Sequence, residues 1–434
     1  MRTRWFVSAV LCMGVSLGLA IGVVIGVFMS FMVTAVPAIA AEKVKLVVAE
    51  WGSQVYWDLH EQGIAEFEKL HPDIDIELWR TPGNDAKYWE QIMVRAAAGM
   101  MPDVFRVWST QQTEVFRYGY AMDLTPLVQK DSEFFKQFVI PPIALDGKHY
   151  AIADMLIVNY LHFNEDLMKT LGLASPDDLY AQGSWDYQAL ENIAGKATKR
   201  KADGTPEVVG FAMVVPDHYY VGPWVQSFGG AWFDDNYSKV LFNQPAALEG
   251  LRWVQQQFVE GRFFPMSQYR PLVLAGQFGF NFNWSLPPAP GGQYGNTNVG
   301  YVPWPRGPQQ DVSTYRTEPW AIAATTKHPG EAFEFVKYMA SDGIRFMIAA
   351  QGKIPNYRPN MGILHDYAAQ FKYGLRPLQE QIGKIVPQPM APQHSRVTAI
   401  LYPAFQDITE GKVAVNVAME EAARLINDLF KWSN

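Results

Sequence analysis

The sequence predicts an α/β protein built on parallel strands and crossover helices. Two observations carry this. Strand-like and helix-like segments alternate from residue 44 onward, and 434 residues that are 49% hydrophobic provide chain for two or three buried cores. Residues 44–49, Val-Lys-Leu-Val-Val-Ala, are mostly apolar and β-branched and form a first strand. Residues 55–70 place Leu59, Ile64, Phe67 and Leu70 near helical spacing, with charges between them. Pro72 stops that helix, and Ile74, Ile76 and Leu78 then alternate with Asp73, Asp75 and Glu77 as a second strand. Residues 86–98 form a helix ended by Gly99, and residues 104–108 a third strand. Such a β-α-β-α-β succession builds a parallel sheet, whose ligands bind beyond the carboxyl ends of the strands. The loops so marked are Glu50-Trp51-Gly52-Ser53 and Trp108-Ser109-Thr110.

Pro141-Pro142 and Asp146-Gly147-Lys148 mark turns. Residues 150–160 are then strand-like, broken by Asp154. Residues 185–199 form a helix with Ser184 as its N-cap, followed by a polar turn over 199–205. Residues 219–236, rich in aromatic residues and Gly, read as a loop region, 244–260 as a helix and 285–308 as loop. Amphipathic helices are expected over 330–340 and 413–430.

The first forty residues are a separate object. Arg2 and Arg4 precede a stretch from Trp5 to Ala40 without a charge, and Ala38-x-Ala40 has the small-x-small form of a signal-peptidase site. Residues 1–40 are therefore expected to be a cleaved export signal; the apolar run is also long enough to serve as an uncleaved anchor. Without Arg2 and Arg4 the balance is 34 basic against 43 acidic residues, a net charge of -9 in place of -7. A mildly acidic chain with no long basic run argues against nucleic-acid binding as the main job. The one cysteine, Cys12, excludes an intrachain disulfide, and the eight His show no zinc-ligand spacing, so no cofactor or metal is expected.

Several segments are similar to those of a known family. They are Gly63 through Leu78, Ala97-Ala-Gly-Met-Met-Pro-Asp-Val104, and Asp146-Gly-Lys-His-Tyr-Ala-Ile-Ala-Asp154 with Asn159-Tyr160 and Phe163-Asn-Glu-Asp-Leu167. Ser184-Trp185-Asp186, Glu318-Pro-Trp-Ala-Ile322, the stretch from His328 to Val336, and Val413 through Leu429 complete the set. Together they resemble the extracellular solute-binding proteins of ABC importers, in the sugar-binding group related to maltose-binding proteins. Ala153 stands where that group usually has Pro. The resemblance implies a two-lobed, type II-like periplasmic-binding-protein fold, each lobe a mostly parallel sheet flanked by helices, with a multi-strand hinge. On that basis lobe 1 spans 44–152 with 312–358, and lobe 2 spans 153–311 with 359–434. It also implies a monomer that closes on a sugar, oligosaccharide or polyol in the periplasm or on the outer face of the membrane and docks on the importer's transmembrane permease subunits, with no covalent chemistry.

Sugars offer flat CH faces and many hydroxyls, so a site for them needs aromatic rings interleaved with carboxylates, amides or Arg on loops. The candidates are Trp51 and Gln54 after the first strand, Trp108 after the third, and Asp154 at the expected crossing between lobes. Trp224 and Trp284 in second-lobe loops, Glu318 and Trp320 on the return strand, and Arg358 after a turn complete them. Trp57, Trp79, Trp89, Trp185 and Trp253 lie at helix or strand positions and read as packing. Two other readings stand beside this one. An exported carbohydrate-active enzyme would use two carboxylates such as Asp154 and Glu318 as acid and base, although no hydrolase motif accompanies them. A membrane-tethered sensory binding domain would retain residues 1–40.

Overall fold

The computed structural model describes residues 43–431, except 84, 215–217, 235–238, 284, 289–291, 389, 390 and 392. The expected export signal over 1–40 and the candidate Trp284 lie outside the described residues. The compact unit begins at Val44.

The elements that position the site are, in chain order, β1 (Val44–Gly52), α1 (Gln54–Leu70), β2 (Ile74–Pro82), α2 (Asp85–Ala97), β3 (Val104–Arg106), β4 (Ile143–Leu145), β5 (Lys148–Ile152), β6 (Met155–Val158) and β7 (Tyr160–Asn164). There follow α3 (Tyr187–Ala197), β8 (Pro206–Met213), α4 (His218–Ser227), α5 (Pro245–Val259), β9 (Phe263–Pro265), α6 (Met266–Leu274), β10 (Phe278–Asn283), β11 (Val299–Pro303), β12 (Ser313–Arg316) and β13 (Trp320–Ile322). The chain closes with α7 (Pro329–Ala340), α8 (Arg345–Gln351), β14 (Ile354–Pro355), α9 (Met361–Ala368), α10 (Arg376–Ile382), β15 (Ile385–Pro387), α11 (His394–Thr409) and α12 (Val415–Lys431).

Three sheets organise these strands. The first has the order β2-β1-β3-β13-β5-β4, the second β9-β8-β10-β7-β11, and the third, a short crossing sheet, β14-β6-β12-β15. The sheets are mixed, not mostly parallel. β2, β1 and β3 run parallel as expected, but β13, which follows the strands of the second sheet in the chain, inserts antiparallel between β3 and β5. In the second sheet β7 pairs antiparallel with both β10 and β11. The strand-like run 150–160 is resolved into three strands, and Asp154 occupies the break between β5 and β6.

Side-chain alternation separates two cores on the first sheet. Leu46, Val48, Val104, Ile152 and Ile322 face α1 and α7, whereas Ala49, Phe105, Ala151 and Ala321 face Tyr88 and Ile92 of α2. The second sheet is covered by α3, α4 and α5 together with α11 and α12. There Gly210 and Gly279 allow α3 to lie directly on the strands, since a Cβ at Gly210 would stand 2.1 Å from the Ala194 carbonyl oxygen. Residues 359–434 divide: α11 and α12 join this second core, while α9 and α10 pack on the crossing strands.

Three local expectations change. The N-cap of α3 is Asp186, whose Oδ1 accepts from Ala189 N–H at 3.0 Å, in place of Ser184. Residues 218–227 are helical although they contain Gly222 and Pro223. Burial of Val221, Trp224 and Val225 outweighs the helix-breaking preference of those two residues. Val299–Pro303 is a strand within the expected loop, because it completes the antiparallel edge beside β7.

Candidate functional site

The carboxyl ends of β1 and β3 lie side by side, held by Tyr88 of α2, whose Oη is 3.1 Å from the Ala49 carbonyl oxygen and 3.0 Å from that of Arg106. Beyond them Trp51 and Trp108 form an aromatic wall. Their ring centroids are 5.6 Å apart, and Trp51 also packs on Tyr88 at 4.9 Å. Both indoles stay half-buried, so each keeps open surface. At Gly52 the backbone takes φ +153° and a Cβ would meet Tyr56 Cδ1 at 2.9 Å, so the chain turns tightly into α1. Ser53 caps α1 through its Oγ.

Beneath the wall is a buried charged network. Arg106, 1% exposed, donates from Nη1 to Asp154 Oδ2 at 2.8 Å and to the Glu318 carbonyl oxygen at 2.7 Å, and from Nη2 to Tyr56 Oη. Trp320 Nε1 also donates to Asp154 Oδ2, at 3.2 Å, and the Arg106 guanidinium lies 4.3 Å from the Trp320 ring centroid. Burial works against the Arg106 cation, but Asp154, Tyr56 and Glu318 outweigh it and raise its pKa above the ordinary value. Glu50 and His60, both fully buried, pair at 2.5 Å behind Trp320. The crossing is tied down by Asn356. Its backbone N–H donates to the Asp154 carbonyl oxygen, and its side chain bridges the main chain of Ile140 and Ala153. Arg316 lies 5.0 Å from the Trp108 ring centroid and 3.8 Å from the Glu318 carboxylate. Burial pushes the Glu318 carboxyl above its usual range, against the pull of Arg316, Arg106 and Lys353.

The second sheet presents a different face. A pocket of about 470 Å³ is lined by Tyr220, Arg270, Asn281, Asn283, Tyr294 and Lys353, among others. His162 beneath it has its Nε2 2.7 Å from the Ser285 carbonyl oxygen and its Nδ1 2.9 Å from Tyr294 Oη. Burial lowers the His162 pKa to about 4, with the Ser285 carbonyl opposing, so the ring is neutral at pH 7. Nε2 therefore carries the proton for Ser285, and Nδ1 accepts from Tyr294. Tyr294 Oη in turn accepts from Asn281 Nδ2 at 2.7 Å and from Asn283 Nδ2 at 2.9 Å. Lys353, between α8 and β14, joins the two faces: it lines this pocket and lies within the fields of Glu318, Arg316, Arg106 and Asp154. Among the described residues no cluster of His, Cys, Asp and Glu could hold a metal ion, and no helix is long and apolar enough to cross a membrane.

Residues 58–345 match the family described as bacterial extracellular solute-binding protein. The chain belongs to that family. A probable ABC transporter-binding protein of Deinococcus radiodurans is 26% identical over 50% of this chain and 53% of its own length. An arabinooligosaccharide-binding protein of Bacillus subtilis is 24% identical over 48% of this chain and 47% of its own. The chain thus spans about half the length of the curated relatives it matches. Solved structures extend the likeness in fold. An ABC substrate-binding protein of Listeria monocytogenes in complex with cycloalternan superposes with a TM-score of 0.74 at 17% identity, covering 90% of this chain and 99% of that one. The maltose/maltodextrin-binding domain of Bdellovibrio bacteriovorus bound to maltotriose gives 0.72 at 18%, covering 89% and 100%. The fold is the two-lobed one of these solute-binding proteins, with the first and second sheets as lobes and the third between them.

Within this solute-binding fold the predicted residues separate into groups. Trp51 and Trp108 meet on the first-lobe wall, and Glu318 is joined to it through Arg316. Asp154 and Trp320 lie directly beneath, 0% and 1% exposed, where they hold Arg106 and the crossing in place instead of facing the cleft. Trp224 was expected on a loop, but its helix turns it into the second core, fully buried against Trp304 at 4.4 Å and Trp253 at 5.2 Å. It has no face to offer a sugar. Gln54 is exposed on the first turn of α1 and bonded to Asp58 at 2.6 Å. Arg358 is exposed next to Tyr357, which packs on Phe134 and Phe138 of the first core, away from the wall. Tyr56, Lys353, His162 and Tyr294 escaped the sequence reading. Each is a single polar residue in an ordinary context, and only the tertiary fold brings them to the cleft.

Proposed function

We propose that the protein is the solute-capturing component of an ABC importer, taking a sugar, oligosaccharide or polyol between its lobes and delivering it to the transmembrane permease subunits. The observation that carries this is the half-buried Trp51–Trp108 wall set against a polar pocket on the other lobe. Open indole faces suit sugar CH surfaces, and the pocket's amides and hydroxyl suit ring hydroxyls. The arabinooligosaccharide-binding relative and the like-folded proteins in complex with cycloalternan and maltotriose point the same way.

In this reading the lobes are 44–152 with 312–358 and 153–311 with 359–434, the latter apart from α9 and α10, which belong with the crossing strands. The chain works as a monomer outside the cytoplasm after cleavage behind Ala40. Solute contacts made with both lobes at once favour the closed state, and the crossing strands absorb the change. No turnover is proposed. Of the two carboxylates an enzyme would need, Asp154 is locked to Arg106 and has no exposed surface. Titrating the exported chain with a sugar panel, while following tryptophan fluorescence and analysing for products, tests this. Saturable quenching by one sugar class with the sugar recovered intact is expected. Product formation that is lost in Glu318→Gln would overturn the binding-only reading, and mass spectrometry finding Met1 on the exported form would overturn cleavage.

A further inference from the structure

We propose that the solute is an acidic sugar, carrying one carboxylate on its ring or at a chain end, and that Lys353 receives that carboxylate. The inference rests on the solute-binding reading above and narrows its ligand class.

The charges of the cleft are unevenly matched. Arg106 has Asp154 at 2.8 Å, and Arg316 has Glu318 at 3.8 Å. Lys353 has no hydrogen-bond or ion-pair partner among the described residues, although it is partly buried and lines the 470 Å³ pocket. Among the described residues no Asp or Glu lines that pocket, and Arg270 at its exposed edge adds a second positive charge. Burial lowers the Lys353 pKa; Glu318 opposes this, while Arg316 and Arg106 lower it further. An ammonium in that position is stabilised by whatever brings a negative charge within reach. One enclosed ammonium matches one carboxylate, whereas the second charge of a dianion would be left to Arg270 at the solvent-screened edge.

The rest of the pocket is built for a polyhydroxylated molecule and not for a bare anion. The proton order fixed by neutral His162 makes Tyr294 accept from both Asn281 and Asn283. That turns the Asn281 carbonyl oxygen away from Tyr294. Asn281 is 3% exposed and this oxygen has no partner among the described residues, so it is an acceptor awaiting a donor. A sugar hydroxyl supplies that donor, and Tyr220 and Phe282 supply apolar surface beside it. Carboxylate, hydroxyls and a CH face occur together in an acidic sugar.

The test uses the full exported chain and matched pairs: glucose with glucuronate, galactose with galacturonate, and their short oligosaccharides, with glucose 6-phosphate as a dianionic control. Thermal shifts are followed by calorimetric titration at low and moderate salt. At least one carboxylated sugar is expected to bind ten-fold or more tighter than its neutral partner. Lys353→Met is expected to abolish that preference and Lys353→Arg to keep most of it. Labelling of wild-type Lys353 by an amine-directed reagent, read by mass spectrometry, is expected to be blocked by the acidic sugar. If neutral sugars bind and their acids bind no better, the acidic-sugar inference falls and the solute-binding reading stands; if no sugar of either kind binds, both fall. Preference for the phosphate, or a preference that survives Lys353→Met, also overturns the inference.

Discussion

The two walls of the cleft handle charge in opposite ways. On the first lobe Arg106 and Arg316 are already engaged by Asp154 and Glu318, and aromatic rings supply the open surface. On the second lobe an uncharged His162 orders neutral amides and a phenol, and Arg270 stands exposed at the pocket's edge. Lys353, contributed by the 312–358 part of the first lobe, reaches that pocket with no protein partner among the described residues. A charge matched inside the protein builds the hinge; a charge left unmatched at the cleft is available to a ligand. That distinction separates residues whose removal costs stability from residues whose removal costs affinity.

The largest effect is expected on the first side. Asp154→Ala leaves the Arg106 guanidinium buried beside Trp320 without its carboxylate, and loss of one partner of a buried pair costs about 3–5 kcal/mol. Urea unfolding of the variant measures this. Removing the charge from both partners, as Arg106→Met with Asp154→Leu, is expected to restore much of the loss. Equal instability of the double variant would mean that the network stabilises through packing and not through charge.

Two tryptophans give the next contrast. Trp224→Ala empties a fully buried site among Trp253, Trp304 and Tyr187 and is expected to cost about 3–5 kcal/mol of stability, with affinity per folded molecule unchanged. Trp108→Ala is expected to do the reverse: a loss of about 1.5–3 kcal/mol in binding, ten-fold or more in Kd, with a smaller change in unfolding. Calorimetric titration beside thermal unfolding separates the two. The same pair shows what the sequence conceals. The β-α-β-α-β rhythm placed Trp51 and Trp108 at strand ends, because strand alternation and helix stops are local signals. β1 nevertheless runs on through Trp51 to Gly52 in place of the expected loop, and β3 stops at Arg106, short of Trp108. Trp224 was misplaced because Gly222 and Pro223 mimic a loop, and only the packing of Val221 and Val225 reveals the helix. Lys353, Tyr56 and Tyr294 carry no local signal at all. Their neighbours in the cleft lie tens to hundreds of residues away in the chain, and the inserted strand β13 that gathers the first wall comes from beyond the second lobe.

On the second side, His162 predicts a pH dependence. Its folded pKa of about 4 lies below its ordinary 6.5, so the unfolded chain binds the extra proton between those values. Stability from this group is fully present above pH 6.5 and is lost as pH falls toward 4. The total is about 3 kcal/mol, from about 1.4 kcal/mol for each pH unit of the gap. The unfolding free energy of wild type should therefore fall across that window more steeply than that of His162→Gln. Parallel profiles would show that the ring is solvated and that the proton order assigned to Tyr294 and Asn281 does not hold.

The smallest effects should come from the two expected site residues that lie on neither wall. Gln54 is exposed at the start of α1 and already bonded to Asp58, and Arg358 is exposed beside the first core. Neither fills a cavity or pairs a buried charge, and exposed substitutions of this kind stay within about 0.5 kcal/mol. Gln54→Ala and Arg358→Ala should leave unfolding and solute affinity unchanged within about two-fold. Gln54 is the sharper of the two, because its helix begins at the turn that follows Trp51. A ten-fold loss of affinity in Gln54→Ala would extend the first wall onto the N-terminal turn of α1. Ligand recognition there would then reach past the aromatic rings to a neutral amide, and the contrast between a charge-matched first lobe and an open second lobe would have to be redrawn around that helix end.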